Sequence, residues 1–565
     1  MERIKVFALG GLDEAGRDCY VIEINNDIFV LDCGLSFVDK TAPGIDYMLP
    51  NIDYLAENKD RIKAYILTHG HDENMGGLKY LYKKAPAPIY CSFPTKMIFL
   101  GMMKAVGLKP IGLDFHIVKP SCVEYISNRK VTFFQTDHNA PYSFGVAIET
   151  DQGNIVYTSD FIVDYTVSDK AFYFDLNALS TVAEKKTLLL MSESKSATSD
   201  GYCAPKHRLI PKAFKYFTNE DKRIFICTFW QNIYRILEIF KLCKMANKKI
   251  YPYNEYTRNI IEQLFINDNE KVIPIKKEDI LSNEDLLRVR KEDLVILILG
   301  KEKEMYKDLI KLANYTNEDK RIVLGPDDIF ILSAIAIPYL ETEATRAADS
   351  LYRTGCEVVW IKKKELLSMH ARQDDLKLML SLLRPTHYLP VRGYYGGLMA
   401  NAKLALSMGI GLNHMNVFVL DNGMELIFDE NGRTSIIPNE KNGINITPIL
   451  VDGLGICKVG AELISDRTNL ANDGVVVIAA SVSSKTKEIV AGPDCQMRGF
   501  VFVKEAEPLL KSISQIFVEE IEKCLKAGSL NFDKAYEIIK ERAKKFVKKE
   551  NGREPLILPV VVVVD

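Results

Sequence analysis

Residues 68 to 77 read Thr-His-Gly-His-Asp-Glu-Asn-Met-Gly-Gly and follow the apolar run Ala64-Tyr65-Ile66-Leu67. The run fits a buried strand, and Gly76-Gly77-Leu78-Lys79-Tyr80 can open a helix, so the loop is a strand-to-helix turn. His69 and His71, separated by one glycine, can turn two imidazoles towards one ion, as zinc and its neighbours prefer. Ligands at a strand end sit on a rigid base. The second half of the loop is less suited to a metal, since Asn74 offers only a neutral carbonyl oxygen to a borderline-soft ion.

Length and composition bound the rest. With 565 residues the chain can form roughly three or four domains, each with its own core. Apolar residues make up 47% of the sequence, yet no run approaches the roughly 18 residues of a membrane span. The first residues, Met1-Glu2-Arg3-Ile4-Lys5-Val6, begin directly with strand-like alternation and show no signal-peptide pattern. We therefore expect a soluble cytoplasmic protein with no membrane partner. The 11 cysteines show no Cys-x-x-Cys spacing, and Cys33 and Cys227 lie in apolar runs, which points to buried reduced thiols. Basic residues number 73 against 75 acidic ones. Any nucleic-acid partner must then be met by a local groove rather than by a global field.

Along the chain, Cys19 to Ile24, the turn Asn25-Asn26-Asp27 and Ile28 to Leu31 read as a hairpin followed by α/β units. Lys130 to Gln135 and Asn154 to Tyr157 are further strands, ending at the potential ligands His138 and Asp160. From about residue 206 to 360 a second α/β rhythm, with strands near Ile224 to Cys227, Leu294 to Leu299 and Val358 to Trp360, reads as an inserted domain. Asn439 to Asn445 fits a linker. Beyond it lies a small α+β unit with a strand at Gly474 to Ile478, a helix from about Pro508 to Ala527 and a final strand from Pro555 to Val564. Its second helix carries Lys540, Arg542, Lys544, Lys545, Lys548 and Lys549, which fits a solvated helix face.

Several of these pieces coincide with the motifs of a known family. The loop resembles the His-x-His-x-Asp-His signature of the metallo-β-lactamase fold, with Glu73 in place of the Asp and Asn74 in place of the last His. Further segments are Gly10 to Gly16, Leu31-Asp32-Cys33-Gly34, Pro43 to Tyr47, Thr136-Asp137-His138-Asn139, Thr158-Ser159-Asp160-Phe161, Met369-His370-Ala371, Pro390-Val391-Arg392-Gly393, Met497 to Val501 and Pro555 to Pro559. With them the whole chain resembles the ribonuclease J family, β-CASP members of the metallo-β-lactamase superfamily. The resemblance implies an α/β fold: a metallo-β-lactamase αββα sandwich with an inserted β-CASP α/β domain and a C-terminal α+β domain. The expected division is 1–205 and 365–438 for the metallo-β-lactamase domain, 206–364 for the β-CASP domain, 439–449 for a linker and 450–565 for the C-terminal domain.

The resemblance also implies roles. In the family two metal ions bridged by an aspartate hydrolyse a phosphodiester. By position, His69, His71, His138 and Asp160 would hold the first ion, most simply zinc, with manganese or magnesium as alternatives and no ion at all in an inactive chain. The second ion would need Glu73, Asn74, Asp160 and residue 392, where the family has His and this chain has Arg392. An arginine has no lone pair to give, so that site is degraded, and a guanidinium reaching Glu73 or Asp160 would stand in for the missing charge. His370 matches the histidine that protonates the leaving group and Glu193 the acid that orients it. The family's phosphate-holding segments are changed: Gly300 to Met305, Leu332 to Tyr339 and Gln231-Asn232-Ile233-Tyr234 have lost hydroxyl, glycine and imidazole donors, leaving Lys301, Lys303 and Arg235 as cations for RNA. The expected function is an RNase J-like protein of RNA processing and decay with weak or no nuclease activity. It would bind RNA, an active paralogue or both, as a homodimer or heteromer; the alternative is an active ribonuclease using one metal ion.

Overall fold

The computed structural model describes residues 1–38, 44–119, 121–167, 169–218, 221–262, 275–336, 340–452, 455–456, 461–499 and 507–565. Pro43, Ile337, Pro338, Tyr339, Phe500 and Val501, cited above for the resemblance or its loops, lie outside the described residues. The described chain divides into two compact units, Met1–Phe37 with Met48–Ile449, and Val38–Tyr47 with Leu450–Asp565.

The first unit is built on two sheets whose strands alternate inward and outward side chains. One is eight-stranded and carries Ile4–Gly10, Cys19–Ile24, Asp27–Leu31 and Ile62–Leu67 as consecutive neighbours. The other is six-stranded and runs in the order His387–Val391, Thr187–Glu193, Gly153–Tyr157, Phe144–Thr150, Arg129–Gln135 and Val123–Ile126. Residues two apart along each strand, such as Phe29 and Leu31, Ala64 and Ile66, Val131 and Phe133, and Leu189 and Met191, enter one shared core. That period-two pattern fixes which face each strand gives to its partner sheet. The opposite face of the six-stranded sheet is closed by helices: Phe134, Val156 and Leu190 pack with Leu179 of the helix Leu176–Ala183 and with Leu376 and Leu380 of Gln373–Leu383. Two sheets with helices outside are the expected sandwich.

The insertion leaves after Thr187–Glu193 and returns as His387–Val391, and these two strands pair in parallel with Glu193 opposite Val391. Both ends of the excursion therefore finish at the same edge of the sandwich. Between them lies a five-stranded parallel sheet in the order Lys249–Pro252, Leu294–Gly300, Arg223–Phe229, Asp328–Leu332 and Glu357–Trp360. Leu294–Gly300 is buried at every residue, as a parallel strand covered on both faces requires.

The second unit carries a three-stranded sheet, Ile489–Arg498, Val475–Ser483 and Leu556–Val564, with Val475–Ser483 in the middle. Helices Glu507–Lys526 and Asp533–Asn551 cover one face through Ile513, Phe517, Ile521, Ile539 and Val547 against Val476, Ile478 and Val482. On its other face Val477, Leu558, Val560 and Val562 stay exposed. The basic helix is largely neutralised by ion pairs: Lys540 with Glu537, Arg542 with Glu519 and Glu520, Lys545 with Glu541, and Lys544 and Lys548 with Glu554. Every described cysteine is free, and among the described residues no helix is long and apolar enough to cross a membrane.

Candidate metal centre

The strand Ile62–Leu67 ends at Thr68 and His69, and the turn through Gly70 places His71 before the short helix Asp72–Met75. This turn lies against Gly34, where an added Cβ would come within 1.6 Å of the Glu73 carbonyl oxygen. The glycine of Leu31-Asp32-Cys33-Gly34 is thus fixed by a backbone approach. His138 follows Arg129–Gln135 and Asp160 follows Gly153–Tyr157, and sheet packing brings the ends of these strands together.

The donors converge as a tetrahedral ion would require. His69 Nε2 lies 3.2 Å from His71 Nδ1 and 3.6 Å from Asp160 Oδ2, while His138 Nε2 lies 3.7 Å from that same oxygen. Donors bonded at about 2.1 Å to a tetrahedral zinc stand about 3.4 Å apart. Each imidazole is held by its other nitrogen. His138 Nδ1–H donates to the Met369 carbonyl at 2.7 Å, and His71 Nε2–H donates to the Gln231 carbonyl at 3.3 Å. His69 Nδ1 lies 3.1 Å from Thr68 Oγ1, whose hydroxyl donates to Asp32 Oδ1 at 3.0 Å. Tautomer and ring angle are thereby set so that lone pairs face one point. His138 Nε2 is buried with no hydrogen-bond partner among the described residues, as suits a nitrogen whose lone pair is kept for an ion. Burial, reinforced by the neighbouring imidazoles, pushes His69 and His138 well below the usual histidine range. Both are neutral, as ligands must be. The donor set fits one zinc-type ion.

The other half of the cleft is filled by protein. Arg392 is fully buried at the end of His387–Val391, with φ at 59°. Its Nε and Nη2 donate to Asp160 Oδ1 and Oδ2 at 2.8 and 2.7 Å, a bidentate fork. Its Nη1 meets Asp18 Oδ2 at 2.8 Å and donates to Tyr157 OH at 3.2 Å, and its Nη2 donates to Asn74 Oδ1 at 3.3 Å. Asn74 Nδ2 in turn donates to Asp32 Oδ2 at 2.8 Å. Asn74 therefore bridges a carboxylate and a guanidinium, a task for which an amide has both a donor and an acceptor. Of the two carboxylates expected to receive Arg392, Asp160 does so directly. Glu73 is met by Lys195, whose Nζ lies 3.3 Å from Glu73 Oε1 and 3.5 Å from Asp160 Oδ2.

Lys195, Asp18 and Asp32 are the groups that sequence reasoning missed. Together Arg392 and Lys195 carry the two positive charges that a divalent ion would bring. Burial alone would raise Asp160, but Arg392 and then Lys195 hold its carboxyl well below the usual range. Glu73, opposed in the same way by burial and drawn down chiefly by Lys195, falls to about 2. The cations do not serve all four carboxylates. Burial outweighs Arg392 at Asp18 and Asp32, which rise to about 7 and about 6.

His370 and Glu193 meet beside Asp160, with His370 Nδ1 3.0 Å from Glu193 Oε2 and 3.6 Å from Asp160 Oδ1. Glu193 Oε1 accepts from the backbone N–H of Phe161 at 2.9 Å and of Ala371 at 3.0 Å, so the carboxylate is anchored before it orients the imidazole. The nearby carboxylates Glu193 and Asp160 lift His370 to about 9, against burial and Lys195, which lower it.

The phosphate-facing residues divide. Lys301 and Lys303 are exposed, and the Lys301 charge is felt at Asp72 beside the metal loop. Arg235 is a correction: it is 1% exposed and donates to the carbonyls of Ser333 at 3.1 Å and His207 at 3.2 Å. Its position on the buried helix Ile233–Met245 spends the guanidinium on the core, so it cannot meet RNA. Tyr234 is buried as well, and Asn232 caps that helix by accepting from Arg235 N–H at 3.0 Å. Gln231 remains at the cleft, where its side chain donates to Asp72 at 3.0 Å. Residues 302–305 have become the first turn of the helix Glu302–Ala313, with Met305 buried in the core of the insertion.

Comparison with known proteins agrees with this geometry. Residues 12–189 match the model of the metallo-beta-lactamase superfamily, 221–351 that of the ribonuclease J beta-CASP domain and 462–564 that of the ribonuclease J C-terminal domain. The chain is similar to ribonuclease J 1 of Streptococcus pyogenes, 31% identical over 100% of this chain and 98% of the relative. It is similar also to ribonuclease J2 of Bacillus subtilis, 29% identical over 99% of each chain. A solved structure of a protein of unknown function from Enterococcus faecalis V583 superposes with a TM-score of 0.51 at 15% identity, covering 75% of this chain and 100% of that one, a likeness of fold alone. From these matches and the shared architecture, the chain belongs to the ribonuclease J family.

Proposed function

We propose that this chain is a cytoplasmic protein of RNA processing and decay that binds RNA but cleaves it weakly or not at all, working with an active ribonuclease J-type paralogue. The observation that carries this reading is the Arg392 fork on Asp160, which puts a guanidinium where a second ion would need ligands. A zinc-type ion held by His69, His71, His138 and Asp160 supplies Lewis-acid polarisation of one oxygen. His370, held by Glu193, is placed to give a proton to a leaving group. What is lost is the second charge at the attacking or leaving oxygen, which two-metal sites clamp from both sides. Lys301 and Lys303 are the cations we assign to RNA at this cleft. For the domains we retain the borders 1–205, 206–364, 365–438, 439–449 and 450–565.

The test is an RNA-degradation assay with zinc, manganese or magnesium beside a measurement of RNA binding. Binding with cleavage at least about a hundredfold below that of an active homologue is expected, a loss of the order that one displaced electrostatic contact causes. Cleavage equal to the homologue's would instead establish the one-metal ribonuclease, which the intact His370–Glu193 pair favours. Assembly is a second expectation. The exposed Val477, Leu558, Val560 and Val562 form an apolar sheet face of the kind that marks interfaces, which supports a homodimer or a heteromer with the active paralogue. Sedimentation at micromolar concentration should show dimers or mixed oligomers; monomers alone, both by itself and mixed with the paralogue, would contradict it.

A further inference from the structure

A cleft of about 430 Å³ opens at the edge of the inserted sheet and is lined by none of the residues assigned above. Its floor is the edge strand Glu357–Trp360, and its walls are the helix Ile210–Phe217 and the end of Glu341–Tyr352. On the first helix Lys212, Lys215 and Tyr216 share one face by the three- and four-residue spacing of a helix. Tyr352 is 52% exposed, Trp360 is half-buried, and the Lys362 ammonium lies over the Trp360 ring. At the rim Lys222 and Glu357 pair at 3.0 Å, but among the described residues no ion pair joins Lys212, Lys215 or Lys362 to a carboxylate. Glu365 is the single acidic residue of the lining, and one of its carboxylate oxygens already accepts from the Lys362 backbone N–H.

Ammonium groups without a carboxylate partner, two of them lying over the rings of Tyr216 and Trp360, suit one ligand chemistry above others. Each nucleotide of a single strand brings a phosphate for a lysine and a flat base for a ring, whatever its sequence. An acidic peptide would use the lysines and leave the rings idle. We propose that this cleft is a contact for single-stranded RNA, with a base stacked on Tyr352 and phosphates at Lys212, Lys215 and, beside Trp360, Lys362. The proposal rests on the reading that the chain meets RNA, and is independent of whether it cleaves it. The cleft would add an anchor outside the metal centre, and the chain from Trp360 reaches His370 within at most about 35 Å of extended backbone.

The probe is an oligouridylate of about 12 nucleotides, within the site sizes typical of single-strand binders, titrated against the full-length protein. Tyr352→Ala should weaken binding about tenfold, the loss of one stacked base. Lys212→Gln with Lys215→Gln should reduce the slope of log affinity against log salt by about 1.4, since each phosphate contact on a single strand contributes roughly 0.7. All three positions are on the surface, so the variants keep the fold. The chain has 2 tryptophans, and Trp230 is buried, so with Trp230→Phe the remaining Trp360 emission should be quenched by RNA. Binding that is unchanged in these variants but lost in Lys301→Gln with Lys303→Gln would overturn the cleft and keep the proposed function. Displacement by polyglutamate as readily as by RNA would overturn it in favour of an acidic peptide. No RNA binding by the parent would overturn both.

Discussion

Arg392→Ala is expected to lower the stability of the protein by about 3–5 kcal/mol, the effect of removing one partner from a buried charge cluster. The guanidinium touches Asp160, Asp18 and Asn74, and the three carboxylates nearest it, Asp18, Asp32 and Asp160, are all buried. Without it they face one another in a low-dielectric site, with Lys195 and His370 left to offset them. The residue also holds a left-handed φ of 59°, a conformation that costs on the order of 1–3 kcal/mol unless its surroundings over-determine it. Arg392→Lys should recover only part of the loss, because an ammonium cannot fork across both oxygens of Asp160. Arg392→His alone should fall near the alanine variant, since it removes the charge without completing a metal site. Chemical denaturation followed by circular dichroism reads these effects; an unchanged midpoint in Arg392→Ala would refute the pairing.

The second large effect concerns rebuilding the lost ion site. Glu73→Asp, Asn74→His and Arg392→His together restore the family's ligand types, and on ligand types alone that triple variant should regain a second ion. Lys195 changes this expectation. Its ammonium lies 3.5 Å from Asp160 and 3.3 Å from Glu73, on the carboxylates that a second ion would use, and like charges at such distances repel strongly in a buried site. The triple variant should therefore take up a second ion poorly, and the addition of Lys195→Ala should restore uptake. Cleavage should remain at least about a hundredfold below an active homologue in both, because misplacing reacting groups by about 1 Å has that cost and the changed segments at 231–234 and 300–305 are untouched. Elemental analysis and single-turnover cleavage report the two effects separately. Full family-like activity in the triple variant would show that neither Lys195 nor those segments matter.

The metal-binding half of the site was legible because each ligand stands at the end of an apolar strand. His69 and His71 come from one such end, His138 from a second and Asp160 from a third, so local pattern and function coincide. Arg392 was legible as a charge in a ligand's place, although its neighbours were only half foreseen. Asp18, Asp32 and Lys195 carry no spacing signature. Asp18 and Asp32 flank the open end of the hairpin Cys19–Ile24 and Asp27–Leu31, and the remote Lys195, two residues past Thr187–Glu193, joins them through the packing of the sheets. The hairpin was legible, but the approach of Arg392 and Lys195 to its two carboxylate positions was not. Arg235 failed for the opposite reason: a cation near a phosphate motif was taken for surface, and a helix buried nearly all round placed it among backbone carbonyls. The α/β and α+β character of the sheets was legible from runs such as Leu294 to Leu299, whose continuous apolarity fits a parallel strand covered on both sides.

If protein charge has replaced the second ion, the metal content of the protein reports it. Elemental analysis of protein purified without chelators and dialysed against zinc tests it most directly. Among the described residues the two donor groups, His69, His71, His138 with Asp160 and Glu193, His370 with Asp160, share Asp160, and Arg392 is seated on that carboxylate, so at most one bound ion per chain is expected. Two ions per chain would contradict it.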